Sequence, residues 1–227
     1  MTEWRRVYVT VEGYTELEFV NALLVPHLAQ RSLDVRPRVV STNRRLGARG
    51  GVLSFGQVQS DLSRLMREDH AAESRFTTMV DLYALPDTFP GPRVGGTPLD
   101  RVRALEAAWA GEMADHRFLP YLQLHEFEAL LFCDLDLLEK RIEGSEAGLK
   151  ALKRQVSGLA PEDIDEGPTT APSKRIIHHV PSYERAKRRV GAATAAEIGL
   201  QKLRAGCPHF HEWMTKLEAL GLPSESA

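Results

Sequence analysis

The chain opens on a β-branched run, "RRVYVTV" at residues 5–11. Val7, Val9 and Val11 are β-branched and Tyr8 and Thr10 suit a pleated surface, so the run predicts a strand buried on both faces. After Gly13 the period changes. Phe19, Leu23, Leu24 and Leu28 recur at helical spacing and predict a helix from about Glu16 to Ala29. Thr15 is its expected N-cap, Glu18 closes a capping box, and Pro26 kinks or shortens it. "RPRVVS" at 36–41 predicts a second strand. A basic loop follows, with Arg44, Arg45 and Arg49 among Gly47, Gly50, Gly51 and Gly56. Val58, Leu62, Leu65 and Met66 then mark an amphipathic helix from about Gln57 to Asp69. "FTTMVDLYALP" at 76–86 predicts a third strand and its exit, and "PDTFPGPRVGGTP" is too punctuated by Pro and Gly to be regular structure. Residues 99–114 predict a helix, and 117–132 a strand that turns into a helix near His125 to Glu128.

Strand and helix thus alternate through residues 1–132, which predicts an α/β core with a parallel sheet flanked by helices. Residues 133–227 read as a mostly helical extension packed on that core, with helices near 134–141, 145–156, 182–190, 193–205 and 207–220. The stretch "GLAPEDIDEGPTTAPSKR" reads as a loop. There is no internal repeat and no heptad array.

Composition narrows the partners. The 227 residues are 43% hydrophobic, enough for one α/β-sized core. The net charge is −2, from 29 basic and 31 acidic side chains. Contact with nucleic-acid phosphates must therefore come from a local patch, a bound cation or a basic partner. No apolar run reaches the roughly 18–20 residues of a membrane helix, and no secretory signal opens the chain. The expectation is a cytoplasmic protein with reduced thiols at Cys133 and Cys207, not a disulfide framework.

The chemistry gathers at strand ends, where parallel sheets bind ligands. Glu12 ends the first strand, Asp81 the third, and Glu126 and Glu128 the fourth, while Glu16 lies in the first turn after Glu12. Acids converging in a partly buried crevice repel one another, and a hard divalent cation such as Mg2+ or Mn2+ relieves that repulsion. Each acid also has an ordinary reading. Glu16 and Glu18 suit a positive helix N-terminus, Asp81 suits a turn, and Glu126 and Glu128 share a face only where the chain is extended. Gly13 suits any tight turn.

"VEGYTE" resembles the opening motif of the Toprim domain shared by topoisomerases, primases and OLD-type nucleases. In that family a strand delivers a glutamate, a glycine follows and a helix starts at once. Glu12 and Gly13 match the motif, and Thr15-Glu16 is similar to the OLD-type form, in which a second glutamate joins the metal site. The later Asp-x-Asp motif reads "VDLY" here: Asp81 matches the first acid and Tyr83 stands at the second, leaving Asp87, Glu126 or Glu128 to substitute. The ordered set "VEG.TE", "VDLY.LP..FPG", "YLQLHEFEALLF", "PSKRI" and "CPHF..W" is similar to an uncharacterised Toprim-like family. That resemblance implies a Rossmann-like Toprim core, an SMC-like ABC ATPase encoded nearby and a role in anti-phage defence.

The resemblance also implies a lysine that offsets transition-state charge. Lys174 of "PSKRI" is the candidate, and Lys187 comes next. Arg185, Lys187 and Arg188 suit a phosphate backbone, although a charged helix face is more often simply solvated. Cys207, His209 and His211 are zinc-type residues without a fourth ligand at suitable spacing. His178 and His179 suit acid–base work but have no Ser or Cys nucleophile constellation beside them. No phosphate-cradling G-x-x-x-x-G-K-[ST] is present. Two readings result. One is a nuclease hydrolysing DNA or RNA, with Glu12, Glu16, Asp81, Glu126 and Glu128 on Mg2+ or Mn2+ and Glu12 and Lys174 as catalytic residues. The other is a non-catalytic Toprim-like module that regulates the ATPase.

Overall fold

The computed structural model describes residues 4–40, 55–83, 85–86, 88–91, 95–164, 167 and 169–221. The basic loop carrying Arg44, Arg45 and Arg49, and Asp87, lie outside the described residues.

The sheet is parallel. Strand β1 (Arg5–Val11) lies between β2 (Leu33–Val39) and β3 (Arg75–Asp81), and β3 is flanked by the short β4 (Phe118–Leu119) and, at its carboxyl end, β5 (Leu122–Gln123). Val7, Val9 and Val11, which share one face of the strand, are all fully buried, and on the opposite face Thr10 is buried and Tyr8 partly so. One apolar core packs the three valines against Phe19, Leu24 and Leu28. On the other face, Phe76 and Val80 of β3 pack with Leu62, Trp109 and Phe118 from α3 (Phe55–Glu68), α4 (Pro98–Met113) and β4.

The helix after β1 differs from its sequence pattern. It begins as α1 (Tyr14–Phe19), passes through a π-helical turn (Val20–Leu24) and ends as α2 (Val25–Ala29). Pro26 sits at the start of α2, so the wide turn lies where a proline has no N–H to donate and crowds the preceding carbonyl. The N-cap is Gly13, not Thr15, and Glu16 rather than Glu18 closes the cap, its Oε2 accepting from Gly13 N at 2.9 Å. Gly13 is extended (φ −140°, ψ −174°), so no unusual backbone conformation requires a glycine there. A Cβ at Gly13 would stand 3.0 Å from the Glu16 carboxylate, and that crowding is what the glycine avoids.

The helices after residue 133 join the same core as β1. They are α5 (Leu135–Glu139), α6 (Glu146–Gln155), α7 (Pro172–His179), α8 (Tyr183–Gly206) and α9 (Pro208–Ala219). Tyr183, Val190, Phe210 and Trp213 pack into it, and Trp213 Nε1 donates to Thr77 Oγ1 of β3 at 2.9 Å. Two expectations fail here. "PSKR" is helical rather than loop, because Pro172 occupies the first helical position, where its missing N–H costs nothing. The expected break near Gly191 is absent. Gly191 is helical and packs tightly, with Tyr183 Oη 3.1 Å from where a Cβ would be. The break falls instead at Gly199 (φ 79°, ψ 156°), a left-handed position suited to glycine.

Candidate functional site

The crevice at the carboxyl ends of β1 and β3 collects acids from five places in the chain. Because β1 and β3 are neighbours in register (Val11 beside Met79), the residues that leave them are also neighbours. Asp81 N donates to Glu12 Oε2 at 3.3 Å. Glu16 comes from the first turn of α1, directly after Gly13. A 3-10 turn (Phe127–Cys133) begins at the crevice, with Phe127 N donating to Asp81 Oδ1 at 2.9 Å.

Glu126 and Glu128 flank that start and diverge. Glu126 is still extended (φ −143°, ψ 162°), and its carboxylate accepts from Ser173 N at 2.8 Å and Ser173 Oγ at 2.9 Å. Glu128 lies inside the turn with no exposure at all. Its Oε1 accepts from Tyr183 Oη at 3.0 Å and lies 3.2 Å from Lys187 Nζ, while its buried Oε2 has no hydrogen-bond partner. A buried carboxylate oxygen left without a donor is costly, and is the kind of group a cation satisfies.

The electrostatics show repulsion. Burial is the largest cause in every case. It raises Glu12 above the ordinary carboxylate range, with the Glu126 charge adding to it. Burial, then the Glu12 charge, raises Glu16. Burial raises Asp81 furthest, reinforced by the charges of Glu12, Glu16 and Glu128. Glu128 is likewise raised by burial, against the pull of Lys187. Lys187 answers all of these acids: burial disfavours its charge, but Glu128, Asp81 and Glu126 hold its ammonium protonated beyond the ordinary lysine range. Burial and the Glu128 charge hold the Tyr183 phenol protonated, as a donor.

The sequence-predicted residues therefore separate. Glu12, Glu16, Asp81 and Glu128 share the crevice and one another's fields, and Glu126, also buried, adds its charge to Glu12 and Glu128 while tied to Ser173. Lys174 is exposed on α7, and Lys187 is the lysine that enters the cluster. Arg185 is exposed. Arg188 points outward too, 2.6 Å from Glu18 and with its guanidinium 4.5 Å from the Tyr14 ring centroid. Tyr183 and Ser173 escaped the sequence reading. A proline-initiated helix at "PSKR" was the signal available for Ser173, but nothing local marked Tyr183.

All five acids offer oxygen, the donor that a hard divalent ion takes. Yet each of them already accepts a hydrogen bond from the protein. Among the described residues, no group of three or more His, Cys, Asp or Glu side chains is posed to hold an ion in common. The hydrogen bonds engage Glu12 and Glu16 through Oε2 and Asp81 through Oδ1, so an ion entering here would use the carboxylates' remaining acceptor capacity. The zinc-type residues disperse as well: Cys207 Sγ faces Cys133 Sγ at 3.6 Å, His209 Nε2 meets Glu106 Oε1 at 3.0 Å, and His211 Nδ1 meets Arg204 Nε at 2.9 Å. His178 and His179 pack edge-on, and His179 Nε2 contacts Gln155 Oε1 at 2.9 Å.

A family model described as "Domain of unknown function (DUF4276)" matches residues 11–218. No curated protein matches. Among solved structures, the chain is similar to the C-terminal region of the Burkholderia pseudomallei OLD protein, with 16% identity, 95% of this chain and 99% of that chain covered, and a TM-score of 0.45. It is also similar to the C-terminal region of the Xanthomonas campestris pv. campestris OLD protein, with 14% identity, 92% and 96% covered, and a TM-score of 0.35. Among the described residues, no helix is long and apolar enough to cross a membrane.

Proposed function

The chain belongs to the DUF4276 family, whose description assigns no activity, and we propose that it is a divalent-cation-dependent phosphodiesterase acting on nucleic acid. The observation that carries this reading is the meeting of Glu12, Glu16, Asp81 and Glu128 at the ends of adjacent parallel strands, with each carboxyl held above its ordinary range. Glu12, Glu16 and Asp81 would hold Mg2+ or Mn2+, with Glu128 beside them and Glu126 nearby on Ser173. The ion would supply a nucleophile at neutral pH and neutralise phosphate charge.

The chain's own residues supply the rest. Lys187 takes the charge-offsetting role assigned to Lys174 from the sequence, because its ammonium is fixed beside the acids by Glu128. Tyr183 positions Glu128 by donating to Oε1, and Ser173 fixes Glu126 through two hydrogen bonds. Arg185 and Arg188, exposed on α8, would meet the nucleic-acid backbone outside the crevice.

The test is titration calorimetry with Mn2+ and Mg2+, paired with cleavage of DNA and RNA. Binding lost in Asp81→Asn, and cleavage lost in both Asp81→Asn and Lys187→Met but kept in Lys174→Met, supports the reading. Equal cleavage by wild type and Glu12→Ala in Mn2+ overturns it.

The second reading is a non-catalytic Toprim-like module on an SMC-like ABC ATPase in anti-phage defence. The acids' engagement with local amides favours it, as does Tyr83 two residues beyond Asp81, where its N–H donates to His125 O at 2.7 Å. No ion binding at millimolar concentration, together with tight association with a neighbour-encoded ATPase, decides for it.

A further inference from the structure

The two cysteines stand 74 positions apart in the chain and meet in the fold, with Sγ atoms 3.6 Å from each other. Cys133 ends the 3-10 turn and is half-buried, while Cys207 is fully buried at the junction of α8 and α9. The contact is held on its backbone side. A Cβ on Gly206 would lie 2.8 Å from Cys133 Sγ, so only a glycine there lets the sulfur sit so close to α8. Cys207 itself is non-helical (φ −129°, ψ 88°), and α9 starts directly after it, so its side chain leaves the chain at the junction of two helices. A disulfide needs its sulfurs at about 2.05 Å, so the bridge requires them to close by roughly 1.5 Å from the present contact.

We propose that Cys133 and Cys207 form a modification site, a reversible intramolecular disulfide made by exchange with a low-molecular-weight disulfide. Cys133, the accessible thiol, attacks one sulfur of the reagent, and the first small thiolate leaves. Cys207 then attacks the Cys133 sulfur of the mixed disulfide, and the second small thiolate leaves. The two thiol protons pass to the two departing thiolates. The chain loses two electrons and the reagent gains them. The order follows from access and acidity: the Cys133 contact and burial push the Cys207 thiol well above its ordinary range, so it is the poorer first nucleophile.

The bridge would join the turn that begins at the acid crevice to the end of the helix that carries Lys187. It stands whether or not the crevice binds an ion, because it rests on the sulfur contact alone.

The experiment exposes the folded full chain to oxidised glutathione at neutral pH. The expected result is a monomer whose intact mass falls by two hydrogens and whose non-reducing peptide map joins Cys133 to Cys207, reversed by dithiothreitol. The thermal midpoint should rise by about 5–15 °C, since a long loop is closed. Cys133→Ser, at the half-buried position, should keep the reduced wild-type midpoint and lose the rise. Cys207→Ser should stop at a glutathione adduct on Cys133. The proposal is overturned if wild type also stops at that adduct, if the bridged species is a dimer, or if both thiols survive unmodified in the folded chain.

Discussion

The two ends of the β1–β3 pair handle their acids in opposite ways. At the end where the strands start, Asp69 is surrounded by donors: Arg6 Nε at 2.8 Å, Tyr8 Oη at 2.9 Å, Ser74 Oγ at 2.8 Å and Ala71 N at 3.1 Å. Burial works against its charge, but those donors win and hold the carboxyl down at about 2. Arg117 reinforces the corner by donating to Asp69 O at 2.7 Å, while its guanidinium lies over the Phe76 ring. At the end where the strands finish, Glu12, Glu16, Asp81 and Glu128 face one another, with Lys187 the cation their fields share, and burial holds all four up. One end is a corner whose donors outweigh burial. At the other, burial and mutual repulsion outweigh Lys187 and the local donors, which is the kind of perturbed cluster on which the proposed cation site rests.

The sharpest way to break the contrast is Lys187→Met. Removing the cation leaves the acids unopposed, and the expected loss is about 2–3 kcal/mol at pH 8. That is below the fully buried case, because 38% of the Lys187 side chain is exposed. Denaturant unfolding measures it, and lowering the pH toward 5 should recover much of it as the carboxyls take up protons. Asp69→Asn tests the other end. It weakens several donors' partner at once and should cost about 1–3 kcal/mol at neutral pH.

The two ends also predict opposite pH slopes. Asp69, depressed by its donors, contributes stability that is present above its ordinary 3.8 and lost as pH falls through about 2. The crevice acids, raised by burial, contribute stability that is present below the ordinary carboxylate range and lost as pH rises through their raised values. Thermal midpoints across pH should therefore lose part of their acid-side fall in Asp69→Asn and part of their decline toward neutral pH in Asp81→Asn.

Smaller still is the effect of Mn2+ on wild type at pH 8. A tenfold excess over its dissociation constant should add about 1.4 kcal/mol, read as a raised midpoint that Asp81→Asn lacks. Asp81→Asn alone, by deleting one repelling charge, should stabilise the ion-free chain by about 1 kcal/mol. If it instead destabilises like Asp69→Asn, the two ends are alike and the contrast fails.

The crevice was partly legible in the sequence because its motif is local. "VEGYTE" places Glu12 at a strand end and Glu16 a few residues later, and "TTMVD" does the same for Asp81. Parallel pairing then brings two such ends together. The starting corner was not legible, since Arg6 and Tyr8 come from β1, Asp69 and Ser74 from the loop after α3 and Arg117 from the loop after α4, with no shared motif. Nor was the choice between Lys174 and Lys187. Both lie on basic helical stretches, and only the rotation of α8 against α1 and the 3-10 turn points Lys187 inward. The meeting of Cys133 and Cys207 was hidden for the same reason.

What the sequence determined by itself was the alternation that makes a parallel sheet, with acids at its finishing edge. Side-chain period and strand propensity are properties of neighbouring residues, and they survive without the fold. What tertiary structure decided was which charges are answered. It gave Asp69 its donors, gave the crevice acids one another and Lys187, and seated each crevice carboxylate on a protein hydrogen-bond donor. Coulomb and desolvation energies depend on separation in space and on removal from water, and a chain acquires both only when it packs.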